Sequence, residues 1–135
     1  MISFASQNDF VLENSTSKKL WIQAVIAQEN HSLGEVNFVF CSDDFLHTIN
    51  LEYLNHDTLT DVISFDYSAN DVIEGEIYIS TERVLDNAKD LGVDVNDELD
   101  RVMIHGILHF CGHGDKMPKD KMNMRSLEDK YLAMR

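Results

Sequence analysis

In the stretch Asn96-Asp97-Glu98-Leu99-Asp100-Arg101-Val102-Met103-Ile104-His105-Gly106-Ile107-Leu108-His109-Phe110-Cys111-Gly112, a polar start gives way to an apolar run. Asp97 and Glu98 place negative charge on the positive end of a helix dipole, and Gly112 is a helix stop. Between them Leu99, Val102, Met103, Ile104, Ile107, Leu108, Phe110 and Cys111 cover nearly the whole circumference, so the helix is expected to be buried. Two histidines on such a helix need partners. His105 and His109 stand four apart, on one face and one turn above the other. Neutral imidazoles at that spacing reach a single ion, although two such histidines can also satisfy one another. Gly112 lets the chain turn back three residues after His109, and Asp115, six after His109, is placed to return to the same ion. The pattern H-x-x-x-H-x-x-G-x-x-D supplies three ligands and leaves one tetrahedral position open, as in a catalytic rather than a closed structural site. His113, also beyond the glycine, competes with Asp115 for the third place. Cys111 lies about 200° round the helix from His109 and reads as packing.

Outward from that helix the chain alternates between strand and helix patterns. Residues 2–6 read as a short strand. A helix capped at Ser15 or Thr16 carries Leu20, Ile22 to Ala24, Val25 and Ile26 and ends near Gly34. Val36 to Cys41 is a strand, and Ser42 caps a helix with Phe45, Leu46, Ile49 and Tyr53 at helical spacing, ending at the turn Asn55-His56-Asp57-Thr58. Val62 to Tyr67 alternates with period two, with Ile63, Phe65 and Tyr67 on one face and Val62, Ser64 and Asp66 on the other; Glu74 to Ser80 repeats the pattern, and the polar link Ser68 to Ile73 makes the two read as a hairpin, with a longer connection as the alternative. Thr81 to Leu91 is helical with Gly92 as its stop. After a loop around Pro118, residues 119–135 form an amphipathic helix with Leu127, Tyr131 and Leu132. Four strands and four or five helices give an α+β or mixed α/β fold.

The 135 residues, 44% apolar and 26% charged, are expected to form one globular domain over 1–135. No apolar run approaches the ~20 residues of a membrane span. The start Met1-Ile2-Ser3-Phe4-Ala5-Ser6 lacks the pattern of a secretion signal, and Cys41 and Cys111 lack a CxxC partner, so a cytoplasmic protein with free thiols and no membrane association is expected. The net charge of -13 argues against duplex binding, and no DNA partner is expected. That average hides a division, since residues 42–100 carry -14 and residues 101–135 carry +3. A polyanion would meet the last third, where Lys116, Lys119, Lys121 and Arg125 follow the histidines, or a metal ion held by the protein. His31, His47 and His56 lie in or beside polar turns or on a helix surface, where a solvated histidine is the default.

Three ordered motifs, Thr60-Asp61-Val62-Ile63-Ser64-Phe65, Gly75-Glu76-Ile77-Tyr78-Ile79-Ser80 and His105-Gly106-Ile107-Leu108-His109-Phe110-Cys111-Gly112, resemble the YbeY family of bacterial rRNA-maturation endoribonucleases. The likeness runs from about Val36 to Asp115. It implies an α+β fold with a mixed four-stranded sheet and a zincin-like metal-dependent hydrolase core, one zinc ion per chain, and a cytoplasmic role in 16S ribosomal RNA 3′-end maturation and ribosome quality control at the small subunit. Motif position makes Asp61, Ser64 and His113 candidates for catalysis beside a zinc-bound water, and the positive charge of the segment after the histidines makes Lys116 and Lys119 candidates for holding the phosphate backbone. Two departures stand out. The family usually closes its motif with G-Y-D-H, whereas Gly112-His113-Gly114-Asp115 puts Asp115 at the third ligand position; and Leu54 occupies the place of a usual arginine that would clamp phosphate. Two other readings compete: a zinc metallopeptidase, which would need a glutamate where this chain has Gly106, and a non-catalytic ribosome assembly factor with a structural metal. The oligomeric state is left open.

Overall fold

The computed structural model describes residues 1–55 and 60–135. Along the chain run β1 (Ile2–Ser6), α1 (Ser15–Gln28), β2 (Ser32–Cys41), α2 (Asp43–Leu54), β3 (Val62–Asp66), β4 (Val72–Ser80), α3 (Thr81–Leu91), α4 (Val95–Phe110) and α5 (Pro118–Leu132). The four strands form one mixed sheet in the order β1-β2-β4-β3, with β1, β2 and β4 parallel and β3 antiparallel to β4. This is the expected α+β class.

Alternation along the strands sorts side chains to the two faces of the sheet. Val36, Phe38 and Phe40 of β2, with Ile73, Ile77 and Ile79 of β4, are fully buried and form the main core with α1 and α4. On the other face Cys41 and Ile63 meet Leu46 and Ile49 of α2, closed over by Phe65 and Tyr78. Helix α4 lies close against β4 because two glycines permit it. A Cβ on Gly106 would stand 2.8 Å from the Ile77 Cδ1 atom, and one on Gly75 would stand 2.6 Å from the Phe110 ring. Those contacts fix the rotation of α4. Arg101, His105 and His109, each four residues from the next, become its half-buried polar stripe along a cleft beside β3.

The expected hairpin joins β3 and β4 through a turn in which Asn70 and Asp71 adopt left-handed φ of 53° and 64°. Boundaries differ where pairing or capping overrides local pattern. Helix α1 stops at Gln28, before a left-handed Asn30, because Ser32 and Leu33 are drawn into pairing with Val72 and Ile73. The same pairing starts β4 at Val72 rather than Glu74. Asp94, whose side chain accepts from the Asn96 amide at 2.8 Å, caps α4 ahead of the expected start. Pro118 is the first residue of α5, where its missing N–H costs nothing. Leu20, expected in the apolar stripe of α1, is exposed, and Trp21 takes the inward position with its indole N–H donating to the Tyr131 carbonyl at 2.8 Å. Phe45 and Tyr53 are likewise exposed, leaving Leu46 and Ile49 as the buried pair of α2. The turn expected at His56 to Thr58 lies outside the described residues.

Candidate metal centre and cleft

Helix α4 ends in a C-cap at Cys111, and Gly112 at φ 98° turns the chain sharply back. The turn returns Asp115 to the histidine face. The Nε2 atoms of His105 and His109 lie 2.9 Å apart, with the Asp115 Oδ2 atom 3.3 Å from the first and 3.4 Å from the second. The imidazole rings meet edge to face at 4.5 Å. One ligand atom from each of the three residues falls within 4.8 Å of the others. A tetrahedral zinc ion bonded at ~2.0–2.1 Å sets its ligand atoms about 3.3 Å apart. The two contacts to Asp115 match that edge, and the histidine pair reaches it by opening a few tenths of an ångström. The donor set therefore fits a divalent ion of the zinc type.

A second carboxylate orients the first histidine. Glu128 of α5, buried, accepts from His105 Nδ1 at 2.7 Å and from Arg101 at 2.8 Å, while Arg101 also reaches Asp129 at 2.6 Å. A proton held on Nδ1 leaves the Nε2 lone pair free to face the shared point. Burial opposes protonation of His105, but the hydrogen bond and charge of Glu128, with Asp115 and Asp61 beyond, outweigh it and raise the pKa above the ordinary histidine value. Burial likewise pushes the Glu128 carboxyl up, and its bonds from His105 and Arg101 reverse that and hold it low.

His113 points elsewhere. Its Nε2 pairs with Glu29 at 2.6 Å, and the Tyr131 hydroxyl donates to the same carboxylate. Burial pushes the Cys111 thiol up to about 12, helped by Glu29 and Asp66, as befits a packed side chain. Both cysteines are free. His31, half-buried, sets its Nδ1 2.7 Å from the Glu29 carbonyl, and His47 is half-buried on α2; His56 lies outside the described residues.

Two clefts meet at the triad. One, of ≈ 650 Å³, runs between α2 and β3 and is lined by Leu54, Asp61, Ser64 and Lys116 together with His105, His109 and Asp115. The other, of ≈ 380 Å³, runs between α4 and α5 past Asp61, Glu98, Lys121, Arg125 and Glu128. Asp61 borders both, its carboxylate within 3.5 Å of the Asn87 amide. Ser64 and Leu54 thus stand on the wall of the triad cleft. Lys119, exposed at the start of α5, lines neither cleft, whereas Lys121 and Arg125 do.

A model of the family described as Endoribonuclease YbeY matches residues 3–134 of the chain. The chain belongs to the YbeY family. Its membership covers nearly the whole sequence, well beyond the span from Val36 to Asp115 that carries the motifs. Among YbeY relatives, the protein named Endoribonuclease YbeY of Flavobacterium johnsoniae is 52% identical over 99% of this chain and 96% of its own length. The protein of that name from Flavobacterium psychrophilum is 55% identical over the same shares. The solution structure of TM1509 from Thermotoga maritima is similar in fold, with a TM-score of 0.71 and 27% identity over 98% of this chain and 87% of that one.

Glu128 and its support by Arg101 were not legible from motif spacing in this YbeY chain. A signal was present nonetheless. Met124, Glu128 and Tyr131 fall on one helical face, and an acid on an apolar face requires a buried partner.

Proposed function

We propose that the chain is a metal-dependent endoribonuclease that hydrolyses RNA phosphodiester bonds, with one zinc ion held by His105, His109 and Asp115. Its place of work is the cytoplasm, and its substrate small-subunit ribosomal RNA during 3′-end maturation, in association with the small ribosomal subunit. The observation that carries this reading is the convergence of two imidazole Nε2 atoms and one carboxylate oxygen within 4.8 Å at the junction of two open clefts. The relatives' name, Endoribonuclease YbeY, supports RNA as the substrate class.

When bound, the ion supplies Lewis acidity toward water and a phosphoryl oxygen. The chain's own residues do the rest. Glu128 keeps the His105 proton on Nδ1, so that Nε2 stays a lone-pair donor, and Asp115 reduces the charge of the site by one. Asp61, on the border of both clefts, is the carboxylate placed to accept a proton from an attacking hydroxyl, and the Ser64 hydroxyl lies on the same wall to hydrogen-bond the substrate. Lys116 borders the larger cleft and offers a charge to the RNA backbone. His113, tied to Glu29, steadies the loop that delivers Asp115.

The peptidase reading is disfavoured by Gly106. A peptidase of this type uses a glutamate directly after the first histidine as its general base, and this chain has no side chain at that position. Metal analysis of the purified protein should find about one zinc per chain, and His109→Ala should lose it. Zinc-loaded protein should cleave structured ribosomal RNA and leave peptides intact. Zinc-loaded protein that cleaves neither would make the chain an assembly factor instead.

A further inference from the structure

The cleft between α4 and α5 holds chemistry that the triad does not use. Among the described residues, Lys121 and Arg125 have no ion-pair partner within 4 Å, whereas the neighbouring Arg101 is engaged by Glu128 and Asp129. Glu98 lines the same cleft. It is 7% exposed, yet its carboxylate has no hydrogen bond or ion pair among the described residues. Burial, and after it the charge of Asp61, raises its pKa further than the nearby charges of Arg101 and Arg125 lower it, so the group gains from an N–H donor that would hold it ionised. Glu98 and His105 share a face of α4, seven residues and about 10 Å apart along the helix axis. Glu98 is thus too far from the triad to touch the reacting atoms, and lies where the neighbouring nucleotide would sit.

We propose that the α4–α5 cleft is a nucleotide subsite beside the cleavage point, in which Lys121 and Arg125 neutralise a backbone phosphate and the Glu98 carboxylate accepts hydrogen bonds from the Watson–Crick edge of guanine. Single-stranded RNA presents that edge when its bases are unstacked. Guanine offers two adjacent donors, the ring N1–H and the 2-amino group, which match the two oxygens of one carboxylate. Adenine and cytosine set an acceptor beside their amino group, and uracil has a single donor flanked by carbonyls, each of which faces the carboxylate with like charge. Of the other acids of the cleft, Glu128 is engaged by His105 and Arg101 and Asp115 by the histidine pair, while Asp61, within 3.5 Å of the Asn87 amide, stands at the border with the larger cleft.

This inference rests on the endoribonuclease reading, and its test separates the two. Zinc-loaded protein is titrated with short single-stranded RNAs, at times short against cleavage, in which guanine is replaced by inosine one position at a time. Inosine lacks only the 2-amino group. The parent should prefer guanine roughly fivefold or more at one position next to the cut. Glu98→Gln should abolish that preference and keep the salt dependence. The double variant Lys121→Ala, Arg125→Ala, at two exposed positions, should keep the preference and lower the slope of log affinity against log salt by roughly 0.7 for the one phosphate no longer neutralised. The parent's own preference for guanine needs no variant and can be read even if Glu98→Gln fails to fold. A parent that cleaves RNA with no preference for guanine over inosine, or a double variant with an unchanged slope, overturns the subsite and leaves the endoribonuclease reading standing. A parent that neither binds nor cleaves RNA overturns both.

Discussion

His105 is the most constrained side chain of the centre, because its two nitrogens face different partners: Nδ1 meets a buried carboxylate and Nε2 meets the triad. Loss of such an outer partner typically costs 10–100-fold in metal affinity. Glu128→Gln retains the shape but presents the ring with a neutral amide, and zinc affinity should fall by about 10-fold or more, measured by competition with a chelator, while the fold persists in circular dichroism. The third ligand is tested the same way. Asp115→Ala should weaken zinc binding more than His113→Ala, because the His113 ring is held on Glu29 rather than aimed at the triad. Asp115→His should retain the metal, and a rise in RNA cleavage would show that the carboxylate damps the ion's Lewis acidity.

Helix α4 and strand β4 carry the site through a contact with no room in it. A Cβ on Gly75 would run into the Phe65 carbonyl and stand 2.6 Å from the Phe110 ring, and neither a paired strand backbone nor a buried ring gives way readily. Gly75→Ala should therefore destabilise by about 3 kcal/mol, at the upper end for overpacking, as read from urea unfolding. It should also loosen the triad, since Phe110 follows His109 directly. These two elements were the most legible in the sequence: an all-round apolar helix with one histidine pair, and a strand of alternating isoleucines, state their own environment. Helix α5 was legible as a helix and not as a partner of the site. Its apolar pattern is weak, and nothing local to Glu128 says that its carboxylate meets a ring 23 residues earlier. The failed expectations for Leu20, Phe45 and Tyr53 have a common origin, because periodicity reports that a face is apolar but not how far the neighbouring layer extends over it.

Across the whole molecule, Glu29 at the end of α1 joins segments far apart in sequence, accepting from Tyr131 of α5 and pairing with His113 of the loop before Asp115. Burial alone would raise its pKa, but the bonds from Tyr131 and His113 and the charge of His113 bring it below the ordinary glutamate value. A carboxylate depressed on folding contributes stability that is complete above its unfolded pKa and is lost as pH falls through its folded pKa. Glu29→Gln should thus be less stable than the parent at pH 7, by about 1.5–3 kcal/mol for hydrogen bonds to a charged group, and the gap should close as both are titrated below pH 4. A gap independent of pH would mean that the cluster acts through packing alone.

The order of these partners along the polypeptide has a consequence for how the protein is made. His105 and His109 leave the ribosome before the glutamate that sets the tautomer of His105, and Glu29 waits for a tyrosine 102 residues downstream. A growing chain therefore carries both histidines for a time without the scaffold that aligns them. The centre is therefore complete only once α5 has docked on α4, and metal affinity becomes a report on whether the C-terminal helix is in place.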